Sequence, residues 1–146
     1  MPTLTKPRDV YSPQKLHSDH ERKLAVVCER DPTVIKWMKP FRVPFSIHLR
    51  NGRNYEPEFV IETNVTKLLV EVKRWVDLTT AKVQENKNAT AIWCGHATDH
   101  AKSKGLKPWH YLLIPHDEVK EATDMAGDAS KFTVSPLRRS AAEIIA

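Results

Sequence analysis

The sequence predicts an α/β domain, a mixed central β-sheet flanked by helices on both faces. Three observations predict it. A helical stretch over 19–30 precedes several short runs that read as strands. A long helical segment then follows the run Lys67–Lys73, and one more apolar run, Trp109–Ile114, follows that helix. A meander, a crossover helix and a parallel edge strand give a mixed sheet. Finally, there are only four glycines and none lies in G-x-G or G-K-[S/T] spacing, which argues against a doubly wound nucleotide fold and against ATP or dinucleotide binding.

The elements follow in order. Residues 1–17 carry Pro2, Pro7 and Pro13 among few apolar positions and read as an extended arm. Ser18 or Asp19 suits a helix N-cap, with Glu21 in capping-box spacing from Ser18. The helix continues through Leu24, Ala25, Val27 and Cys28 and stops before Asp31-Pro32. Val34 to Lys39 is a first strand ended by Pro40, and Phe45 to Leu49 a second, with a turn at Asn51-Gly52. Glu58 to Thr63 is the third strand, Asn64 lies in a turn, and Lys67 to Lys73 is the fourth. Asp77 caps a helix from about Leu78 to His96, with Val83, Ala89, Ile92 and Trp93 on one face. Thr98 to Lys107 reads as a polar loop containing Gly105. Trp109 to Ile114 is the fifth strand, closed by Pro115, and Asp117 to Glu121 starts a short helix. From 123 onward the chain reads as a polar tail, with Arg138-Arg139 opening a terminal helix. The expected organisation is an arm over 1–17, a domain over 18–122 and a tail over 123–146.

At 146 residues the chain suffices for one core without disulfides or metal staples. No apolar run approaches the ~18 residues that span a bilayer, and Met1 to Lys6 lacks the apolar stretch of a signal peptide. The expectation is a cytoplasmic protein with no membrane partner. Cys28 and Cys94 then read as buried free thiols in a reducing compartment. The net charge of +5 is compatible with binding a polyanion through its phosphates, although scattered lysines and arginines also serve plain solubility.

The candidate chemistry lies in Val70-Glu71-Val72-Lys73. Strand side chains repeat every second residue, so Glu71 and Lys73 project side by side from one face. Glu58 brings a second carboxylate to the same place if the two strands pair as a hairpin. Two carboxylates and a lysine at one strand end suit a hard divalent cation and a positioned water, the chemistry of phosphodiester hydrolysis. Taken alone, Glu-x-Lys also fits a solvated strand face. Cys94, His96 and His100 have metal-ligand spacing but lack the fourth ligand of a zinc site. Among the tryptophans, Trp37, Trp93 and Trp109 read as core or rim, whereas Trp75 follows the Glu-x-Lys strand and is the one placed to lie beside nucleic acid.

Several motifs, spread over roughly residues 18–120, carry a family resemblance. They are Ser18-Asp19-His20-Glu21, Tyr55-Glu56-Pro57-Glu58-Phe59-Val60, Val70-Glu71-Val72-Lys73, Trp93-Cys94, and Lys107-Pro108-Trp109-His110-Tyr111 with Ile114-Pro115-His116. In this arrangement the chain resembles the PD-(D/E)xK nuclease superfamily, and within it the C-terminal nuclease domain of type III restriction enzyme Res subunits. The resemblance implies a restriction-endonuclease-like fold and a Mg²⁺- (or Mn²⁺-) dependent DNA endonuclease of restriction or defence type. Glu58 would be the first acid, where Asp after Pro is usual, Glu71 the second, and Lys73 the lysine that orients the attacking water. Glu58, Glu71 and the backbone carbonyl of Val72 would hold the metal. Glu21 would be an accessory acid, against the capping-box reading. Gln84 and Lys87 would contact phosphate, against that of a solvated helix face. DNA is the implied partner, with a helicase motor or specificity subunit, and a homodimer is compatible. Two alternatives stay open: the endonuclease subunit of a heteromeric transposase, and an inactive nuclease fold that binds DNA or a partner.

Overall fold

A computed structural model describes residues 19–40, 47–48, 54–120 and 123–134. The expected arm, the Ser18 cap, the Asn51-Gly52 turn and the helix at Arg138-Arg139 lie outside them.

Helix α1 (Asp19–Arg30) buries Leu24, Val27 and Cys28 on one face, as their i, i+3, i+4 spacing dictates. Strand β1 (Val34–Met38) follows. Ile47–His48 (β2) and Asn54–Tyr55 (β3) pair as a separate two-stranded ribbon, so the strand expected over Phe45 to Leu49 stays outside the main sheet. The sheet continues with β4 (Phe59–Thr63), β5 (Lys67–Lys73), β6 (Trp109–Pro115) and β7 (Thr133–Val134), in the order β1-β4-β5-β6-β7. Strand β4 runs antiparallel to both β1 and β5, and β6 returns parallel to β5 after helix α2 (Ala81–Ser103). Among the described residues this is a mixed five-stranded sheet with three helices, an α/β domain.

The pleat of β5 sorts the core into two layers. Leu68, Val70 and Val72 join Phe59, Ile61, Leu112 and Ile114 against α1 and Met125, which opens the third helix, α3 (Met125–Phe132). Leu69 points the other way and packs with Cys94 of α2 and Tyr111. Trp37 packs against Phe59 at 5.7 Å, and Trp93 meets Trp109 edge-on at 5.0 Å, so these three tryptophans belong to the core and its rim.

Three boundaries differ from the sequence expectation. The long helix starts later, because Asp77 accepts from Arg74 within the 3-10 turn Trp75–Asp77, while Thr80 Oγ1 takes the cap and accepts from Val83 N–H. It also ends later, and the polar stretch from Thr98 is helical. Its face toward the sheet buries Ala101, and Thr98 Oγ1 bridges the backbone N–H and carbonyl of Trp109. Gly105 stops the helix at φ 69°, with Leu106 N–H on the Ala101 carbonyl and Gly105 N–H on that of Lys102. A side chain at that φ is disfavoured, which is what this glycine supplies. The helix expected over Asp117 to Glu121 is a 3-10 turn over His116–Glu118.

The tail expected from 123 is corrected most. Met125–Phe132 is a helix capped by Asp124, whose carboxylate accepts from Gly127 N–H at 2.7 Å, and Met125 lies in the core. Strand β7 then pairs antiparallel with β6, Tyr111 opposite Val134 and Leu112 opposite Thr133. The described fold therefore includes residues up to Val134, and β6 is an interior strand. Among the described residues no helix is long and apolar enough to cross a membrane.

Cys28 and Cys94 are both buried and not joined in a disulfide, and burial pushes the Cys94 thiol up to about 12. Thiol titration of the native protein is therefore expected to score neither, since the thiolate is the reactive form. Denaturation should release both. Rapid native labelling of Cys94 would contradict its burial.

Candidate functional site

The site forms where β4 and β5 come together at one end of the sheet. Their ladder pairs Phe59 with Val70, and the same register continued by one residue sets Glu58 opposite Glu71. Two like charges opposite one another on neighbouring strands repel. Here each carboxylate turns onto the other strand's backbone instead. Glu71 Oε1 accepts from Glu58 N–H at 2.7 Å, and Glu58 Oε2 accepts from Val72 N–H at 3.2 Å. Pro57, which has no N–H to offer, ends the ladder on that side. Glu71 is only 3% exposed. Lys73, two residues on, sets its Nζ 3.6 Å from Glu71 Oε2. The predicted trio of Glu58, Glu71 and Lys73 is thus brought together, and Val72 joins it through its backbone.

The first turn of α1 closes over this end. His20 Nε2 lies 3.1 Å from Glu58 Oε1. Glu21 is buried, and Lys39, just past β1, places its Nζ 2.8 Å from Glu21 Oε1 and 5.8 Å from the centroid of the Phe59 ring. Glu21 therefore faces the site, and the Ser18 cap expected for it lies outside the described residues. Ligand atoms of His20, Glu21 and Glu58 all fall within 4.8 Å of one another. His20 and Lys39 are the residues that sequence reasoning missed. The only available signal was a His-Glu pair in the opening turn of a helix whose next turn carries the core residue Leu24.

Gln84 donates its amide to the Leu78 carbonyl at 2.6 Å, a local tie that secures the start of α2. Among the described residues, no side-chain hydrogen bond or ion pair joins Lys87 to Glu58, Glu71 or Lys73. Trp75 is 56% exposed beside Lys73, its indole N–H donated to Asp117 Oδ1 at 2.7 Å. On α2, Cys94 is buried while His96 and His100 are exposed, so these three do not converge.

Burial sets the electrostatics. It pushes Glu58 up to about 7, the Val72 N–H opposing and the Glu21 charge adding to the rise. Burial also holds His20 below its usual range, despite Glu21, so its imidazole is largely neutral at neutral pH. Three carboxylates consequently meet two ammonium groups and a neutral imidazole at a strand end covered by the first turn of α1. That donor set fits a divalent cation, which would relieve the excess negative charge.

One consequence concerns stability without metal. Glu58 holds its proton more firmly folded than unfolded, so the native state binds the extra proton between pH 4.5 and about 7. Its contribution is greatest below pH 4.5 and is lost as pH rises through 7. Asp128, raised by burial to about 6, acts in the same direction from 3.8 upward. Glu58→Gln is expected to stabilise the metal-free protein by about 1–3 kcal/mol at pH 8 and by little at pH 4.5. Thermal melts of both proteins in a chelator check this, and a mutant less stable than wild type at pH 8 would contradict it.

The fold defines an α/β domain with a carboxylate-rich site at one sheet end. No protein-family model matches the chain, and no curated protein matches it in sequence.

Proposed function

We propose that the protein is a metal-dependent DNA endonuclease of the PD-(D/E)xK class, with a restriction-endonuclease-like fold and a role in restriction or defence. The observation that carries the reading is the half-buried Glu58 carboxylate, held by the Val72 N–H beside the buried Glu71 and Lys73 on one strand end. A purely solvated Glu-x-Lys face would leave Glu71 wet, and it is buried.

Glu58 and Glu71, with the Val72 carbonyl, would hold Mg²⁺ or Mn²⁺. When bound, the cation supplies Lewis-acid polarisation of the phosphate and a more acidic water. Lys73 orients the attacking water and offsets charge building on the scissile phosphate. Glu21 and Lys39 lie on the α1 side of the site, joined by their ion pair. Trp75 and Arg74, exposed just past Lys73, offer a stacking surface and a cation to the flanking strand. The DNA partner is consistent with the basic balance of the chain. A helicase motor or specificity subunit would supply site choice.

The test is nicking of supercoiled plasmid with Mg²⁺ or Mn²⁺, comparing wild type with Lys73→Ala. Cleavage lost in the mutant supports the reading. DNA binding without cleavage in either protein would leave a binding module. Affinity for duplex DNA is further expected to fall steeply with salt and to depend little on sequence, since phosphate contacts dominate where no base-reading motif is present. A salt-independent affinity measured by fluorescence anisotropy would contradict this.

A further inference from the structure

A nitrogen donor stands among the oxygens of the site. We propose that His20 and Glu21 join Glu58 in holding the cation, and that the imidazole makes this a site for manganese-class transition cations in preference to magnesium. The proposal deepens the nuclease reading, on which its catalytic meaning rests, whereas the binding itself rests on the geometry.

The donors of these three side chains lie within 4.8 Å of one another. The separation of His20 Nε2 and Glu58 Oε1, 3.1 Å, is close to the edge of about 3 Å between adjacent donors around a six-coordinate ion with bonds of ~2.1 Å. Two of the three ligands are positioned in advance. Glu58 is held through its carboxylate by Val72 N–H and through its own N–H by Glu71. Glu21 is held by Lys39. The His20 side chain is more exposed than that of Glu58, 27% against 13%, so it lies on the solvent side, where an ion would enter.

Magnesium is hard, prefers an all-oxygen shell and keeps its waters, whereas imidazole suits first-row transition ions. A carboxylate-only site tolerates both. One imidazole in direct reach of the central carboxylate tilts the choice toward the transition ion. Lys39 acts as a positioning residue, since its ammonium holds the Glu21 oxygen in the cluster and offsets part of its negative charge.

The experiment uses the full chain without DNA. Calorimetry measures Mn²⁺ and Mg²⁺ binding, and pulsed electron paramagnetic resonance of the Mn²⁺-loaded protein reads nitrogen hyperfine coupling. Wild type is expected to bind Mn²⁺ at least about tenfold more tightly than Mg²⁺ and to show the coupling. His20→Gln, checked for an unchanged melt, is expected to lose the coupling and most of the preference. Glu58→Gln should lose binding of both ions. Absence of coupling in wild type overturns the proposal without reference to any variant. So does a folded His20→Gln that keeps the coupling, because it assigns the nitrogen to another of the seven histidines. Nitrogen-coupled Mn²⁺ binding with no plasmid cleavage supports this site and overturns the nuclease reading. Mg²⁺-supported cleavage without nitrogen coupling does the reverse.

Discussion

Lys73→Ala is expected to lower metal-dependent plasmid cleavage by about 10²–10⁴-fold while costing at most about 1 kcal/mol of stability. The two effects separate because of where the lysine stands. Its side chain is about one-third exposed and reaches Glu71 Oε2 at 3.6 Å, too long and too wet for a strong stabilising pair. Glu71 keeps the Glu58 N–H after the substitution. What disappears is a positive charge at the strand end, where the water and the phosphate would meet. Lys73→Arg should restore little, since a planar guanidinium does not replace a compact ammonium that positions one water. Glu71→Ala is a less clean probe, because it also strips the Glu58 N–H of its acceptor. Steady cleavage by purified Lys73→Ala, with matched melting curves, would place the chemistry elsewhere.

The parts of this molecule that were legible from sequence are those governed by local periodicity. Val70 and Val72 alternate with Glu71 and Lys73, so both the strand and the common face of the acid and lysine follow from a two-residue repeat. Leu24, Val27 and Cys28 announce a helix in the same way. Glu58 was placed by assuming a hairpin, and the register of β4 on β5 sets it opposite Glu71. The crossing hydrogen bonds that keep the two carboxylates tolerable were not legible, because they depend on side chains meeting backbone across strands. His20 and Lys39 were missed for a related reason. Their roles arise from the packing of α1 against the sheet, which brings residues 38 positions apart to 3.1 Å, and nothing in the local pattern encodes that. Likewise, Thr98 and its neighbours look like a loop because they are polar. They are helical because the Thr98 hydroxyl and Ala101 find partners or burial on the sheet side. Tertiary context overrode a weak local preference.

Asp31→Ala is expected to destabilise the protein by about 2–4 kcal/mol and to lower its melting temperature by about 10 °C, an effect far from the site and invisible in the sequence. The Asp31 carboxylate is 5% exposed and serves two elements at once. Its Oδ1 accepts from Thr33 N–H at 2.9 Å and from Thr33 Oγ1 at 2.7 Å, forming the turn from α1 into β1. Its Oδ2 accepts from Met125 N–H at 2.9 Å, a buried bond that anchors the first turn of α3. Alanine leaves that N–H and the Thr33 N–H without this acceptor, and a buried unsatisfied donor costs about 1–3 kcal/mol. Asparagine does not rescue fully, because its amide offers one oxygen where two are needed and turns a donor toward another donor. Since α3 leads directly into β7, loosening Met125 should also free the edge of the sheet. Amide exchange in wild type and Asp31→Ala tests this: protection should fall first in Thr133–Val134 and at their partners Tyr111 and Leu112. The β4–β5 hairpin, which carries Glu58 and Glu71, should stay protected up to global unfolding. A variant within 0.5 kcal/mol of wild type, or one whose exchange rises uniformly, would show that α3 is held by Met125 packing alone. In that event the Arg30 guanidinium, which donates to the Thr123 carbonyl at 2.6 Å, would be a further polar tie from α1 to the residues that lead into α3.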